Sequence, residues 1–119
     1  MWDEFMVYRK PSANELNLIS QLISKAHEYP ISSGWKDSLY VEDMIDGGMG
    51  SLKLSTDNNR DINRKFGSQI SDLMFKDEDG VGVIASLNLD ADGELYELDM
   101  WKINYEPLIS IPGKIKDII

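Results

Sequence analysis

The sequence contains no cysteine and only one histidine, His27. The absence of cysteine excludes disulfides, thiolate metal ligands and cysteine nucleophiles, and it is typical of a reducing compartment, so we expect a cytoplasmic protein. One histidine cannot form a multi-histidine metal site, and His27 stands near the predicted end of a helix, where an imidazole interacts favourably with the last carbonyls. We therefore predict no metal and no other cofactor.

Long apolar runs and basic residues are also scarce. No apolar segment approaches the roughly 20 residues of a membrane-spanning helix, and Asp3 and Glu4 stand where a secretory signal would be basic. The chain has 12 Lys and Arg against 21 Asp and Glu, which gives a net charge of −9. Nucleic acids and anionic membranes are bound by clustered Lys and Arg, so we expect neither as a partner.

The negative charge is concentrated in one segment. Residues 72–106 carry ten acidic residues against two lysines, so this segment holds −8 of the net charge of −9. A local negative potential attracts basic surfaces and accelerates association with them. It indicates the kind of partner without identifying it.

One helix is predicted near the N-terminus. Ser12 and Glu15 have the spacing of a capping box, and Pro30 would end the helix after about Glu28. Apolar residues then recur every three or four positions, which places them on one face. These residues are Leu16, Ile19, Leu22, Ile23 and Ala26.

Alternating apolar and polar residues predict five strands. A hairpin turns at Asp46-Gly47-Gly48, a three-stranded meander turns at 77–80 and 90–93, and the polar segment 57–67 between them is predicted to be a loop. We expect a single domain over residues 1–119, of the α+β class, with the helix packed on one face of an antiparallel sheet. The predicted strands are Asp37–Ile45, Ser51–Thr56, Ser68–Lys76, Val81–Leu89 and Leu95–Tyr105.

Residues 88–99 match the ligand spacing of an EF-hand calcium loop in part. Asn88, Asp90, Asp92 and Asp99 occupy ligand positions, but the last position has Asp in place of the bidentate Glu, and both flanks alternate like strands. A hairpin turn and a calcium-binding loop are both compatible with this pattern.

Two further patterns have a structural and a chemical interpretation. The glycines of Asp46–Gly50 could expose amides to a phosphate, but the segment lacks the following Lys and Ser or Thr of a P-loop, so we expect a tight turn. Glu97 and Asp99 could supply a general acid and base, but they are two residues apart on one strand and nothing in the sequence indicates a raised pKa. We therefore predict that the protein is not an enzyme.

Trp101 shares its predicted strand face with Glu97 and Asp99. A tryptophan surrounded by carboxylates on the outer face of a sheet is typical of a binding hot spot for a basic protein. A tryptophan that covers the sheet or packs beneath the C-terminal tail is the structural alternative.

The segments DGGMGSL, at 46–52, and LYELDMWK, at 95–102, resemble a family of small uncharacterised bacterial proteins. The family has no established activity, so the resemblance implies no catalytic residues. In size and acidity the chain is also similar, as a class, to immunity proteins that cover the basic active site of a bacterial toxin.

These observations lead us to expect a non-enzymatic, acidic protein-binding domain, and more specifically an immunity or antitoxin-like inhibitor of a basic bacterial toxin. The alternatives are calcium binding by residues 88–99 and a carboxylate-based enzyme, and the oligomeric state stays open. The predicted partner-binding residues are Asp77, Glu78, Asp79, Asp90, Asp92, Glu97, Asp99 and Trp101.

Overall fold

The computed structural model describes residues 8–27, 31, 33–56 and 63–118. It confirms the predicted α+β class, with one five-stranded antiparallel sheet and an N-terminal helix packed on it. The ends of the predicted helix and of the loop 57–67 lie partly outside the described residues. The elements are α1 (Ala13–Lys25), α2 (Trp35–Ser38), β1 (Leu39–Asp43), β2 (Leu52–Thr56), β3 (Phe66–Lys76), β4 (Gly82–Asp90) and β5 (Leu95–Lys102).

Helix α1 begins with the predicted capping box. The Ser12 hydroxyl accepts a hydrogen bond from the Glu15 amide, and the Glu15 carboxylate accepts one from the Ser12 amide, so two free donors of the first turn are satisfied. The helix ends at Lys25, three residues before the predicted end. Leu18 is fully buried although it was not assigned to the apolar face.

The first predicted strand is partly wrong. Residues Trp35–Ser38 form the short helix α2, so β1 starts at Leu39 and ends at Asp43. Gly34 precedes α2 with a φ of 82°, a left-handed conformation that turns the chain into the helix. Trp35 is therefore the first helical residue, and it packs against the edge of the core as a half-buried side chain.

The predicted hairpin and meander join into one sheet through β2 and β5. The strand order is β1-β2-β5-β4-β3, and every neighbouring pair is antiparallel. Only Leu52 and Lys53 of β2 pair with β5, opposite Leu98 and Glu97. The Ser51 hydroxyl extends this short ladder by accepting a hydrogen bond from the Met100 amide at 2.9 Å.

The inner face of the sheet carries the core. Leu73 of β3, Ala85 of β4 and Met100 of β5 lie opposite one another in a single row, and all three are buried. Leu18, Ile19 and Leu22 of α1 belong to the same cluster of buried side chains. The helix thus covers this face, and the opposite face is called the outer face below.

Both edges of the sheet are partly covered by other segments of the chain. Arg9 exchanges two backbone hydrogen bonds of 2.8 Å with Val41 of β1, and the Ile118 amide donates to the Met74 carbonyl of β3 at 2.9 Å. The Met74 amide donates to the Asp117 carboxylate. These contacts occupy edge groups that would otherwise be free to pair with another strand.

Gly67 lies at an irregularity of β3 and permits a close approach of the backbone to the turn after β4. A Cβ atom at this position would lie 2.2 Å from the Asp90 carbonyl oxygen. A Gly67→Ala variant is therefore expected to lose about 1 to 3 kcal/mol in the free energy of unfolding, measured by urea denaturation. Gly113→Ala is the control, because its Cβ would meet only the Asn14 side chain at 3.7 Å. Equal stability of the two variants would contradict this account.

Candidate protein-binding surface

The outer face presents a row of large side chains across three adjacent strands. Met74, Ile84 and Trp101 lie opposite one another in register, and Trp101 is 45% exposed. Tyr105, beyond the end of β5, packs edge-to-face on Trp101 with ring centroids 4.9 Å apart and is itself 70% exposed. Ile103 is half exposed as well. The two aromatic rings therefore offer apolar area to a partner.

The backbone of Tyr105 is unusual. Its φ of 66° makes it the one non-glycine residue with a positive φ among the described residues. A left-handed conformation costs a residue with a Cβ roughly 1 kcal/mol, and such residues are enriched at functional sites. The fold thus keeps an exposed aromatic side chain at a position where glycine would be the stable choice.

Carboxylates form the next row of the outer face. Asp99 and Asp72 flank Ser86 across β5, β4 and β3, directly beside the row that contains Trp101. Glu97 follows in the next row, opposite Asn88 and Lys53. We call these residues together the acidic–aromatic surface, made up of Asp72, Met74, Ile84, Glu97, Asp99, Trp101, Ile103 and Tyr105.

Glu97 has a perturbed titration. Its partial burial raises the pKa above the ordinary value and the neighbouring Asp99 charge raises it further, while the Asn88 amide and Lys53 act in the opposite direction. The Asn88 Oδ1 atom is buried without a hydrogen-bond partner among the described residues. Burial and a like charge therefore both disfavour the carboxylate form of Glu97.

Asp77, predicted to bind a partner, is instead buried in an internal ion pair. Its Oδ2 atom lies 2.8 Å from the Nζ atom of Lys102, and both side chains are almost inaccessible. Its oxygens also accept hydrogen bonds from the amides of Glu78, Ile109 and Ser110. Burial by itself would raise the pKa of Asp77, but these donors together with Lys102 lower it to about 2. The carboxylate holds the tail and presents no charge to a partner.

Asp79, which is partly exposed to solvent, also forms an ion pair with Lys102. Its Oδ2 atom lies 2.7 Å from Lys102 Nζ, and the hydrogen bond from this ammonium lowers the pKa of Asp79. Glu78, the residue between Asp77 and Asp79, is exposed on the turn. Asp77, Asp79 and Lys102 are together called the Lys102 cluster. Of the three acids in this turn, Glu78 alone lies outside it.

Asp90 is also buried, and its hydrogen bonds determine whether residues 88–99 form a hairpin turn or a calcium-binding loop. One oxygen accepts hydrogen bonds from the Asp92 and Glu94 amides, and the other lies 2.9 Å from Nε of Arg64. Burial would raise the pKa of Asp90, but these donors lower it. Strands flank the turn on both sides, and Asp92 is exposed at its tip. The segment is a hairpin turn whose central carboxylate is already saturated with donors.

Arg64 is a structural residue that the sequence analysis missed. It lies in the segment predicted to be a loop, yet its guanidinium also donates to the carbonyls of Leu54 and Leu95, and it stacks over the Tyr96 ring at 5.1 Å. Tyr96 forms a β-bulge in β5: Asn88 pairs with Glu97 and Leu89 pairs with Leu95, so Tyr96 has no opposite residue in β4. The pairing of Arg64 with Asp90 produces no periodic pattern in the sequence, so the sequence alone did not predict it.

The glycine-rich segment 46–50 is the predicted tight turn. The Asp46 carboxylate accepts hydrogen bonds from the amides of Met49 and Ser51, at 3.0 and 2.9 Å. Gly50 has a φ of 96°, and a Cβ there would lie 2.9 Å from Leu108. The amides of Met49 and Ser51 are thus directed at the Asp46 carboxylate within the turn itself.

Among the described residues, no group of three or more His, Cys, Asp or Glu side chains is arranged to hold a metal ion. Within the same residues, no helix has the length and apolar composition needed to cross a membrane. His27 is exposed just beyond α1.

The fold and surface define an α+β domain whose open sheet presents an acidic face with two exposed aromatic rings. The chain belongs to the family described as Domain of unknown function (DUF6984), whose model matches residues 8–112. This match confirms the expected membership of a family without an established activity. No curated protein and no solved structure matches the chain significantly.

The Asp77 ion pair predicts a pH dependence of stability. The pKa of Asp77 lies below its ordinary value of 3.8, so the charged form stabilises the fold above that pH, and the stabilisation is lost as the pH falls towards about 2. An Asp77→Asn variant should lose about 2 to 4 kcal/mol in the free energy of unfolding at pH 6. The difference from the parent protein should shrink below pH 4, as followed by urea denaturation across the pH range.

Asp92→Asn is the matched control, because Asp92 is exposed at the tip of the other turn. It should change the free energy of unfolding by less than about 0.5 kcal/mol. A loss in Asp77→Asn that is the same at pH 2.5 and pH 6 would show that the charge of Asp77 does not stabilise the fold.

Proposed function

We propose that this protein is a non-enzymatic binding domain that docks its acidic–aromatic surface on a basic protein. The observation that carries the proposal is the exposure of Trp101 and Tyr105 beside the carboxylate row of Asp72 and Asp99. Trp and Tyr are enriched in binding hot spots, and carboxylates around them would pair with Lys or Arg of the partner. The surface combines the two in one contiguous area.

The strained backbone of Tyr105 supports the same proposal. A positive φ at an exposed aromatic residue lowers stability, and natural sequences keep such costs where function needs the side chain. Among the described residues Tyr105 makes one ring contact, with Trp101, and it is 70% exposed. A role in binding accounts for its presence better than a role in folding.

The predicted partner-binding residues take different parts in this proposal. Glu97, Asp99 and Trp101 belong to the docking surface, whereas Glu78, Asp79 and Asp92 lie on the turns and contribute to its electrostatic field. The buried carboxylates of the two turns, those of Asp77 and Asp90, fix the shape of the turns. We therefore expect substitutions of the docking-surface residues to change the affinity for the partner most, and substitutions of the exposed turn acids to change mainly the association rate.

The finer form of the proposal is an immunity or antitoxin-like inhibitor that acts in the cytoplasm on a basic bacterial toxin. Its support is the small size of the domain, the net charge of −9 and the concentration of acids around exposed aromatic rings. Such an inhibitor would cover a basic active-site cleft, so the complex should form rapidly at low salt.

The proposal predicts different effects for two aromatic substitutions. Trp101→Ala should weaken the complex with a basic partner at least about 30-fold, as expected for a hot-spot residue. Tyr105→Gly should also weaken binding but should leave the free energy of unfolding unchanged or higher, because glycine relieves the positive φ. The partner is captured from the host at low salt, purified, and its affinity measured by calorimetry.

Matched controls are Ile45→Ala, a fully exposed apolar residue on the turn after β1, and Asp37→Asn, an exposed acidic residue of α2 outside the proposed surface. Both should bind the partner as the parent protein does. The association rate should fall severalfold or more between 20 and 150 mM salt, since the steering charges are screened. Equal affinities for all four variants, or an association rate independent of salt, would reject the proposed surface.

A further inference from the structure

A basic groove lies beside β3 in this otherwise acidic protein. It has a volume of about 330 Å³ and is lined by Phe75, Lys76, Pro112, Lys114, Lys116 and Ile118. Three of the 12 basic residues of a chain with a net charge of −9 therefore converge on one concavity. Its other lining residues are apolar, so the groove combines a positive rim with an apolar wall.

None of the three lysines takes part in an ion pair among the described residues. Lys25, which also lies next to this tail, is by contrast paired with Asp117 at 2.6 Å. Like charges that converge without a counter-charge repel one another, and an anion in the groove would remove that repulsion. The described part of the chain therefore leaves these three charges without an ion-pair partner.

The backbone that carries two of these lysines is held in place. The Asn14 and Asn17 side-chain amides donate to the carbonyls of Ile111 and Gly113, and Ile118 is hydrogen-bonded to β3. Ile115 is buried, whereas Lys114 and Lys116 on either side of it are exposed, and both line the groove. The backbone from which these two lysines extend is thus held by the fold before any ligand arrives.

We propose that this groove binds a small amphipathic anion, namely a phosphate or carboxylate group attached to an apolar body. The volume is in the range of small-ligand sites, Lys76, Lys114 and Lys116 would contact the anionic group, and Pro112 and Ile118 would contact the apolar body. The adjoining cavity, which shares Lys76 and Pro112, also contains Glu78. The anionic group is therefore placed among the three lysines and away from Glu78.

The test is a titration of the ¹⁵N-labelled full chain with octyl phosphate, octanoate, inorganic phosphate and neutral octyl glucoside, each below its micelle concentration. At least one of the two octyl anions should shift the amide signals of Lys76 and of residues 112–118 saturably. The triple variant Lys76→Gln, Lys114→Gln, Lys116→Gln should bind that anion at least tenfold more weakly. Lys36→Gln, Lys53→Gln, Lys65→Gln removes the same charge elsewhere and should bind it within twofold of the parent.

Several results would overturn the proposal. These are the absence of shifts with both octyl anions, equal binding of octyl glucoside or inorganic phosphate, and equal weakening in the two triple variants. Groove shifts that appear on raising the protein concentration alone would show that a second copy of this acidic chain is the occupant. If the first triple variant loses its dispersed spectrum, the double variant Lys114→Ala, Lys116→Ala replaces it with the same expected direction.

Discussion

The buried ion pair between Lys102 and Asp77 joins the end of β5, the turn between β3 and β4, and the C-terminal tail. Lys102 ends β5 on the inner face of the sheet, Asp77 begins the turn between β3 and β4, and the Pro107 carbonyl and the amides of Ile109 and Ser110 belong to the tail. A charge in this position is stable only when its hydrogen bonds are all made, since desolvation of either partner alone costs several kcal/mol. Residues 107–110 of the tail are thus held on the sheet by hydrogen bonds to the charged groups of Lys102 and Asp77.

The same constraint divides the acidic residues of the chain into two functional groups. Asp77 and Asp90 are neutralised internally by Lys102 and Arg64 and by turn amides, so they add little to the field outside the protein. Asp72 and Asp99 face outward beside Trp101 and have no such cationic partner among the described ion pairs. The number of acidic residues therefore overstates the negative potential outside the two turns. It is a better guide to the potential outside the sheet face, where Asp72 and Asp99 lie.

The repeating parts of the fold could be predicted from the sequence, because helix and strand periods appear in the order of apolar residues. The capping box at Ser12, the strands of the meander and the outward position of Trp101 all follow from such local patterns. Helix α2 was missed because its four residues are too short to show a period. The roles of Asp77 and Asp90 were missed because their partners, Lys102 and Arg64, lie 25 and 26 positions away, and contacts at that distance leave no pattern in one sequence.

The family match ends at residue 112, whereas the segment that covers the edge of β3 reaches Ile118. A chain shortened to the family boundary would keep the Lys102 cluster but lose the groups that cover Met74, namely the Asp117 carboxylate and the Ile118 amide. The backbone N–H and C=O of Met74, near the C-terminal end of the 11-residue strand β3, would then face solvent. An open edge of this kind pairs readily with other strands, so we expect residues 113–118 to hinder edge-to-edge association between copies of the chain.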